Sequence, residues 1–466
     1  MFIKYKEVKI MRNASADMCE GPLFKKIVLY TLPIMATGLL QLLFNAADLV
    51  VVGRFCGSVS VAAVGATGSL INLIVNLFIG LSVGAGVSVA HAIGEGSFQK
   101  AHDTVHTAIP TAAVSGIVLT VIGLIFSERF LGLMGTPEDV IKLSAVYMKI
   151  YFCGMTSSML YNYGGSILRA AGDTKSPLIF LFIAGVLNVI LNVFFVVVFK
   201  MDVAGVALAT ALSQTLSAVL VLIALAKRTD MCRLNLKEMK ILSEPLKKML
   251  KIGLPAGIQG SLFSISNVLI QSSVNSFGSV VMSGNAAAQN IEGFVYNAMN
   301  SFHQTALNFT GQNFGAKKYE RLNKIMFICL GCVTVVGITA GTGFFLAAKP
   351  LLSIYITDSA EAVAYGVLRM NYICLPYFLC GIMDVMTGTI RGIGVSFTPM
   401  VITVLGVCVF RVGWIYTVFA SEQYHTLKIL YLSYPISWII TFAAELTAFL
   451  IINRRRNKKL RKENAA

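Results

Sequence analysis

Long stretches without a charged residue constrain this chain more than any other feature of its sequence. Residues 27–47, 176–199 and 325–348 contain no Asp, Glu, Lys or Arg. A bilayer core about 30 Å thick is crossed by roughly 20 apolar helical residues, because backbone polar groups in lipid must be paired within the helix. Only 13% of the chain is charged and 56% is hydrophobic. The sequence therefore predicts an all-α integral membrane protein that crosses the bilayer many times.

The spacing of the apolar runs predicts twelve transmembrane helices. They are expected near residues 27–52, 60–89, 103–126, 144–168, 177–199, 203–226, 249–276, 283–309, 324–347, 367–389, 399–420 and 431–453. Most of the 38 Lys and Arg residues then fall on the side that holds both termini. By the positive-inside rule, both termini and the linker at 227–251 are cytoplasmic. The net charge of +16 therefore reflects basic residues that mark the cytoplasmic side of the membrane. No nucleic acid partner is expected.

Short motifs recur 222 residues apart. The Leu-Pro pair at 32–33 reappears at 254–255, and the segment 168–172 reappears as 390–394. Such self-similarity predicts two copies of one six-helix unit, pseudo-symmetric and entering the membrane from the same side. The predicted organisation is an amino-terminal lobe, a basic cytoplasmic linker and a carboxy-terminal lobe with a basic tail, at residues 1–226, 227–248 and 249–466.

The first predicted helix carries one polar face. Gln41, Asn45 and Asp48 are spaced i, i+4 and i+7 on an otherwise apolar helix. Ionisable groups inside the membrane are costly and are functional candidates by default. Asp48 is interpreted either as a helix-end acid near the headgroups or as a carboxylate that takes up a proton or Na⁺. Gln41 and Asn45 are assigned to the substrate cavity.

Three polar residues of later helices favour the cation interpretation. Asn188 and Asn192 share a face of the fifth helix, and Thr210 lies on the sixth. Counting about 1.5 Å per residue, we expect Asn192 and Thr210 at a depth similar to that of Asp48. Amide, hydroxyl and carboxylate oxygens are the ligands that a hard cation needs. The sequence therefore predicts a cation-coupling site formed by Asp48, Asn188, Asn192 and Thr210.

The seventh and eighth predicted helices carry a second set of polar residues. Asn267 and Gln271 lie on the seventh, and Gln289, Glu292 and Tyr296 on the eighth. Two interpretations remain open for them. They form a hydrogen-bonded seam between helices, or they form a polar wall of the substrate cavity in which Glu292 attracts a cationic drug.

Three further charges, Asp384, Arg411 and Glu445, lie in the last three predicted helices. A buried Arg flanked by two acids is interpreted as a structural charge cluster.

Catalytic and metal sites are not expected. The histidines His91, His102 and His106 are interpreted as loop residues near a helix end, and the nine Cys as reduced small hydrophobes. No nucleophile, base or metal cluster assembles at the bilayer. We expect no enzyme activity and no cofactor beyond the coupling ion.

Several of these residues also carry a family resemblance. The motifs concerned occupy residues 32–33, 45–48, 52–55, 168–177, 311–316 and 391–399. Together they resemble the multidrug and toxic compound extrusion (MATE) transporters over nearly the whole chain. The resemblance implies a V-shaped, two-lobed antiporter that exports organic cations in exchange for H⁺ or Na⁺ by rocking of its lobes. It also implies that Asp48 is the coupling acid. Because the motifs look most like those of the bacterial branch, the protein is expected in a bacterial plasma (inner) membrane.

The sequence departs from this family in two places. Related transporters often have Asp where Asn192 stands, and those with a carboxy-lobe Na⁺ site have an acid in the seventh helix, which is absent here. The first departure leaves the amino lobe with one acid rather than two. The second favours coupling in the amino lobe, and the choice between H⁺ and Na⁺ stays open. We expect small organic cations and the lipid bilayer as partners, and a monomer. The alternative function is a flippase for lipid-linked oligosaccharide or peptidoglycan precursors, which would require cationic residues in the cavity.

Overall fold

A computed structural model of the chain describes residues 18–134, 136, 138–357 and 359–463. The described part contains helices and no β-strand. The helices of the first half are α1 Leu23–Phe55, α2 Ser58–Gly94, α3 Phe98–Leu133, α4 Glu138–Cys153, α5 Met155–Ala170, α6 Lys175–Val193 and α7 Asp202–Ala226. Those of the second half are α8 Ser243–Asn275, α9 Ser279–Gly315, α10 Tyr319–Leu346, α11 Ala348–Tyr355, α12 Ala360–Tyr372, α13 Phe378–Gly392, α14 Phe397–Thr403, α15 Phe410–Trp414 and α16 Leu427–Glu463.

Among the described residues, three segments of π-helix extend the α-helices. Phe194–Val198 continues α6, and Val404–Val409 and Ile415–Phe419 flank α15. π-helical turns are rare and frequently lie at functional sites. The first of them begins two residues after Asn192.

By length and composition, nine helical segments among the described residues are suited to cross a membrane. The predicted spans near 144–168, 249–276 and 283–309 are not among these nine. The first of these regions is divided between α4 and α5 at Gly154, whereas α8 and α9 are continuous helices. The membrane-spanning, all-helical architecture is confirmed, and the number twelve stays a prediction.

The repeated motifs adopt the same turn in both halves. Gly172 and Gly394 have φ angles of 88° and 92°. This left-handed region is open to glycine because it has no Cβ. Each turn follows an arginine-containing helix end and leads into the next helix, so the duplication seen in the sequence extends to the backbone.

The described residues form two compact units by their contacts. The first comprises residues 18–264 and Gly311–Tyr319, and the second comprises Ile265–Thr310 and 320–463. The first part of α8 therefore packs with the first unit, although the repeat assigns it to the carboxy-terminal lobe. Glycines explain this packing, because a Cβ at Gly80 of α2 would lie 2.1 Å from the backbone nitrogen of Gly257 in α8. Small residues allow such close helix approach in membranes.

The end of α9 joins the first unit through side-chain amides. Gln312 donates to the backbone oxygen of Ala170 at 2.6 Å, and Asn313 donates to that of Met18 at 3.1 Å. Both amides are buried. These hydrogen bonds attach segment 311–319, which contains the 311–316 motif, to the end of α5 and to Met18 before α1.

Candidate cation and substrate sites

The four residues predicted for cation coupling lie together in the first unit. The Asn192 amide donates to Asp48 Oδ1 and, at 3.2 Å, to Asn188 Oδ1. The Asn188 amide in turn donates to Thr210 Oγ1 at 3.3 Å. A continuous hydrogen-bonded chain therefore runs from Asp48 on α1 through α6 to α7.

Helix geometry explains why these side chains meet. Asn188 and Asn192 are one helical turn apart and both are buried. The Thr210 hydroxyl donates its hydrogen to the Val206 carbonyl at 3.0 Å, so its oxygen is left to accept from Asn188. Asp48 is half-buried on the polar face of α1.

One oxygen of this network has no partner among the described residues. Asn192 Oδ1 is buried and accepts no hydrogen bond there. With the carboxylate of Asp48 and Thr210 Oγ1, it supplies oxygen atoms of the kind that bind H⁺ or a hard cation. Burial of an unpaired acceptor is unfavourable, so a ligand that used this oxygen would remove that cost.

The second half of the chain has no such network at the equivalent positions. The residues 222 positions after Asp48, Asn188, Asn192 and Thr210 are Ile270, Phe410, Trp414 and Leu432. All four replacements are apolar and cannot bind a cation through side-chain oxygens. The polar network is therefore specific to the first half. Alignment of the two sequence repeats alone shows this difference.

The other two polar residues of this face of α1 are exposed side chains. Gln41 and Asn45 are both exposed, on the helix face that also carries Asp48. This is compatible with their assignment to a cavity wall, which stays a prediction.

In the second unit, Glu292 is paired rather than available. Arg369 donates to its carboxylate at 2.8 Å through Nη2 and at 3.1 Å through Nε. The side chains are 4% and 5% exposed, so the pair is buried. Arg369 also donates to Asn285 Oδ1 at 2.8 Å. Of the two interpretations of Glu292, this pair favours the seam, because Arg369 already neutralises the charge that would attract a cationic drug.

Polar contacts around this ion pair form an interhelical seam. Asn285 donates to Gln271 Oε1 at 2.9 Å and accepts from the Tyr431 hydroxyl at 3.1 Å. Gln271 donates to Asn275 at 2.8 Å. Of the two interpretations of these helices, the hydrogen-bonded seam describes Gln271 and Glu292.

The other predicted cavity residues are exposed. Asn267 and Gln289 are exposed, and Tyr296 is 38% exposed. The Tyr296 ring stacks on Tyr377 with centroids 6.3 Å apart, and Tyr377 stacks on Trp438 at 5.3 Å. Within the second unit, an aromatic stack therefore connects the partly exposed Tyr296 with the buried Trp438.

Arg369 is the residue that the sequence analysis missed. It lies in α12, which begins at Ala360, whereas the span was predicted from 367 onward. The predicted span placed Arg369 two residues from its first end, whereas the observed helix begins nine residues before it, and Arg369 contacts Glu292. Its position as the single basic residue within an otherwise uncharged stretch, 362–383, was the available signal.

The predicted cluster of Asp384, Arg411 and Glu445 is not joined by an ion pair among the described residues. Arg411 instead lies 3.9 Å above the ring of Tyr434, a cation–π contact. The hydroxyl partners are Ser437 for Arg411, and Thr387 and Thr403 for Glu445. The sequence placed these residues on successive helices. It did not show the direction in which each side chain points.

All three histidines that were expected in loops lie in helices. His102 and His106 belong to α3 rather than to a loop, and His91 is near the end of α2. Ligand atoms of His102, His106 and Glu238 lie within 4.8 Å of one another. The expectation of no metal-ligating group did not allow for Glu238, which comes from the linker.

Comparison with known proteins decides the family. The MatE family model matches residues 33–194 and 255–417, which together are more than half of the chain. The chain belongs to the MatE family. The two matches begin 222 residues apart, which agrees with the internal repeat.

Curated relatives of this MatE protein carry drug-resistance names. The probable multidrug resistance protein YpnP of Bacillus subtilis (strain 168) is 27% identical over 395 residues, covering 85% of this chain and 88% of the relative. Multidrug export protein MepA of Staphylococcus aureus (strain NCTC 8325 / PS 47) is 21% identical, covering 80% and 83%. Neither name supports the flippase alternative.

A solved structure confirms the fold. It is described as the outward-facing conformation of a multidrug resistance MATE family transporter of the MOP superfamily. It matches with a TM-score of 0.86 and 22% identity, covering 96% of this chain and 99% of that one. The chain is thus a multi-pass membrane protein with the MATE fold.

Proposed function

We propose that this protein is a secondary active antiporter that exports small organic cations, including drugs and toxic compounds, in exchange for H⁺ or Na⁺. The observation that carries the proposal is the hydrogen-bonded chain from Asp48 through Asn192 and Asn188 to Thr210. Its absence from the equivalent positions of the second half indicates one coupling site. The names of the relatives support the substrate class.

Each residue of the network has a distinct part in the proposed exchange. Asp48 carries the charge that changes when H⁺ or Na⁺ binds. Asn192 supports either state, because its amide donates to the carboxylate while its buried Oδ1 remains an unused acceptor. Asn188 and Thr210 fix the orientation of Asn192. No catalytic group and no cofactor beyond the coupling ion take part.

Exchange requires only that the two ligands favour different conformations. A preference of about 1–3 kcal/mol changes an affinity roughly 5–150-fold, and the effect is reciprocal. In this scheme the organic cation favours the cytoplasm-facing conformation with Asp48 charged. Binding of H⁺ or Na⁺ from outside favours the other conformation and releases the cargo.

Topology and assembly complete the proposal. We place the protein in a bacterial plasma membrane with both termini in the cytoplasm, because basic residues concentrate on that side. It acts as a monomer, since the two repeats already supply the halves that a dimer of six-helix units would combine.

Transport into liposomes tests the function. Ethidium movement is followed under an imposed pH gradient and then under an imposed Na⁺ gradient, and one of the two is expected to drive it. Asp48→Asn should abolish gradient-driven transport. The matched control is Glu128→Gln, which removes an exposed acid paired with Lys149 outside the network. Wild-type transport by Asp48→Asn, at normal yield and thermal stability, would refute the assigned role.

A further inference from the structure

A polar face at the start of α3 meets the linker between the two halves. Gln99, His102, Asp103 and His106 are spaced i, i+3, i+4 and i+7, so they lie on one side of the helix. The linker forms a 3₁₀ turn at Leu236–Glu238 against this face. His102 Nε2 lies 2.8 Å from the Glu238 carboxylate.

The contact borders an open cavity of about 420 Å³. Its lining residues are Gln99, His102, Asp103, His106, Lys237, Glu238, Lys240 and Leu242. The formal charges of the two acids and the two lysines cancel, so the region has no net repulsion for a cation. The cavity has room for an ion and its coordinated water, because one water molecule occupies only about 30 Å³ in the liquid.

We propose that this cavity binds a divalent transition metal of the Zn²⁺ class through His102, His106 and Glu238. Two imidazoles and one carboxylate, with an open fourth position for water, is a ligand set that zinc uses. The three ligand atoms already lie within 4.8 Å of one another. Bond lengths of about 2.0–2.2 Å in a tetrahedral site require separations of roughly 3.3–3.6 Å. His102 Nε2 and the Glu238 carboxylate are already 2.8 Å apart, so they must separate slightly on binding. The His102 and His106 rings are stacked with centroids 3.8 Å apart, and side-chain rotation must direct their in-plane lone pairs at one ion.

Hydrogen bonding prepares His106 for this role. Its Nδ1 lies 2.8 Å from the His102 carbonyl oxygen, which fixes the proton on Nδ1. Its Nε2 therefore carries a lone pair, which accepts from the Asn235 backbone N–H at 2.9 Å. Metal-bound histidines commonly donate the other ring N–H to a carbonyl in this way. The metal would replace the Asn235 N–H at Nε2.

A bound metal would fasten the linker to α3. The linker is already attached at a second point, because Leu242 N donates to Thr107 Oγ1 at 3.2 Å. A metal held by Glu238, His102 and His106 would add coordination bonds between the linker and α3 to these hydrogen bonds. The inference concerns this surface and does not depend on the proposed transport function.

Metal titration of the purified, tag-free full chain tests the site. Zn²⁺ is titrated in competition with a chromophoric chelator, and Co²⁺ is used to detect the visible spectrum of a tetrahedral site. We expect one bound metal per chain. The double variant His102→Ala/His106→Ala and the single variant Glu238→Gln should weaken binding by at least roughly 10–100-fold, the loss typical of second-shell changes.

The control is His425→Ala, which removes a histidine that lies outside the cluster. The His425→Ala variant should bind zinc with the same affinity as the wild type. Equal binding by wild type and Glu238→Gln, or by wild type and the double variant, would overturn the proposal. Glu238→Gln keeps the size of the side chain, so it decides the question if the double variant does not fold.

Trypsin gives a second, independent measurement. Lys237 and Lys240 lie in the linker beside the proposed ligand Glu238. Zn²⁺ should slow cleavage after these lysines in the wild type and leave the rate unchanged in Glu238→Gln. Unchanged cleavage of a zinc-loaded wild type would contradict bridging of the linker to α3.

Discussion

Replacing Gly80 by alanine should separate α2 from α8. A Cβ built on Gly80 lies 2.1 Å from the Gly257 nitrogen and 2.3 Å from its Cα, both backbone atoms. Ordinary van der Waals contact begins at 3.4 Å, so the two backbones must move apart by about 1.3 Å. No side-chain rotation can relieve this overlap, because the obstructing atoms are backbone.

The magnitude follows from two opposing effects. Alanine is favoured over glycine in a helix interior by about 1 kcal/mol. Overpacking of a close interface costs about 1–3 kcal/mol. Gly68→Ala in the same helix is the matched control, since a Cβ there meets nothing within 4 Å. Because both variants gain the same helix propensity, their difference isolates the packing cost, roughly a 5–150-fold shift away from the packed arrangement.

Disulfide formation between α2 and α8 measures this shift. An ideal Cβ at Gly260 lies 3.3 Å from the Asn76 Cβ, close to the separation of about 3.5–4.5 Å in disulfides. Asn76→Cys/Gly260→Cys should therefore cross-link on oxidation, with the linked peptide quantified by mass spectrometry. Gly80→Ala should slow cross-linking and Gly68→Ala should not. Equal rates in the two backgrounds would refute the argument that these helices depend on a glycine contact.

Three further predictions concern polar groups. Breaking the buried ion pair with Glu292→Gln or Arg369→Met alone should destabilise the protein by about 3–5 kcal/mol, and changing both together should cost less; thermal unfolding of the three variants checks the order. Thr210→Val removes the hydroxyl that accepts from the α6 amide, so leaving that amide unpaired should cost about 1–3 kcal/mol and weaken coupling-ion affinity, whereas Thr210→Ser should not; the ion-concentration dependence of transport gives the comparison. The Glu95 carboxyl is partly buried, which opposes ionisation, but Lys100 at 2.7 Å outweighs burial and lowers its pKa. Its stabilising contribution is therefore present above its ordinary pKa of about 4.3 and is lost as pH falls through the lower folded value; the stability difference between wild type and Glu95→Gln should vanish at low pH, and a difference that grows on acidification would contradict this sign.

The amino-acid sequence by itself determined the membrane architecture and the location of the proposed coupling site. Uncharged runs predict membrane helices because backbone pairing in lipid requires them. The 222-residue repeat predicts the duplication, and both glycine turns reproduce it. The contacts among Asp48, Asn188, Asn192 and Thr210 were predictable because helical spacing and depth are local properties of each helix.

Only the tertiary structure decided which helix faces meet. Arg369 pairs with Glu292 from 77 residues away, so the acid that looked available is neutralised. Glu238 reaches His102 from 136 residues away, on a linker whose sequence shows only its charge. Lipid is as apolar as a leucine side chain, so hydrophobic periodicity does not distinguish a lipid-facing surface from a packed one. Close backbone approach and hydrogen-bond geometry select the partners, and these exist only once the helices are assembled.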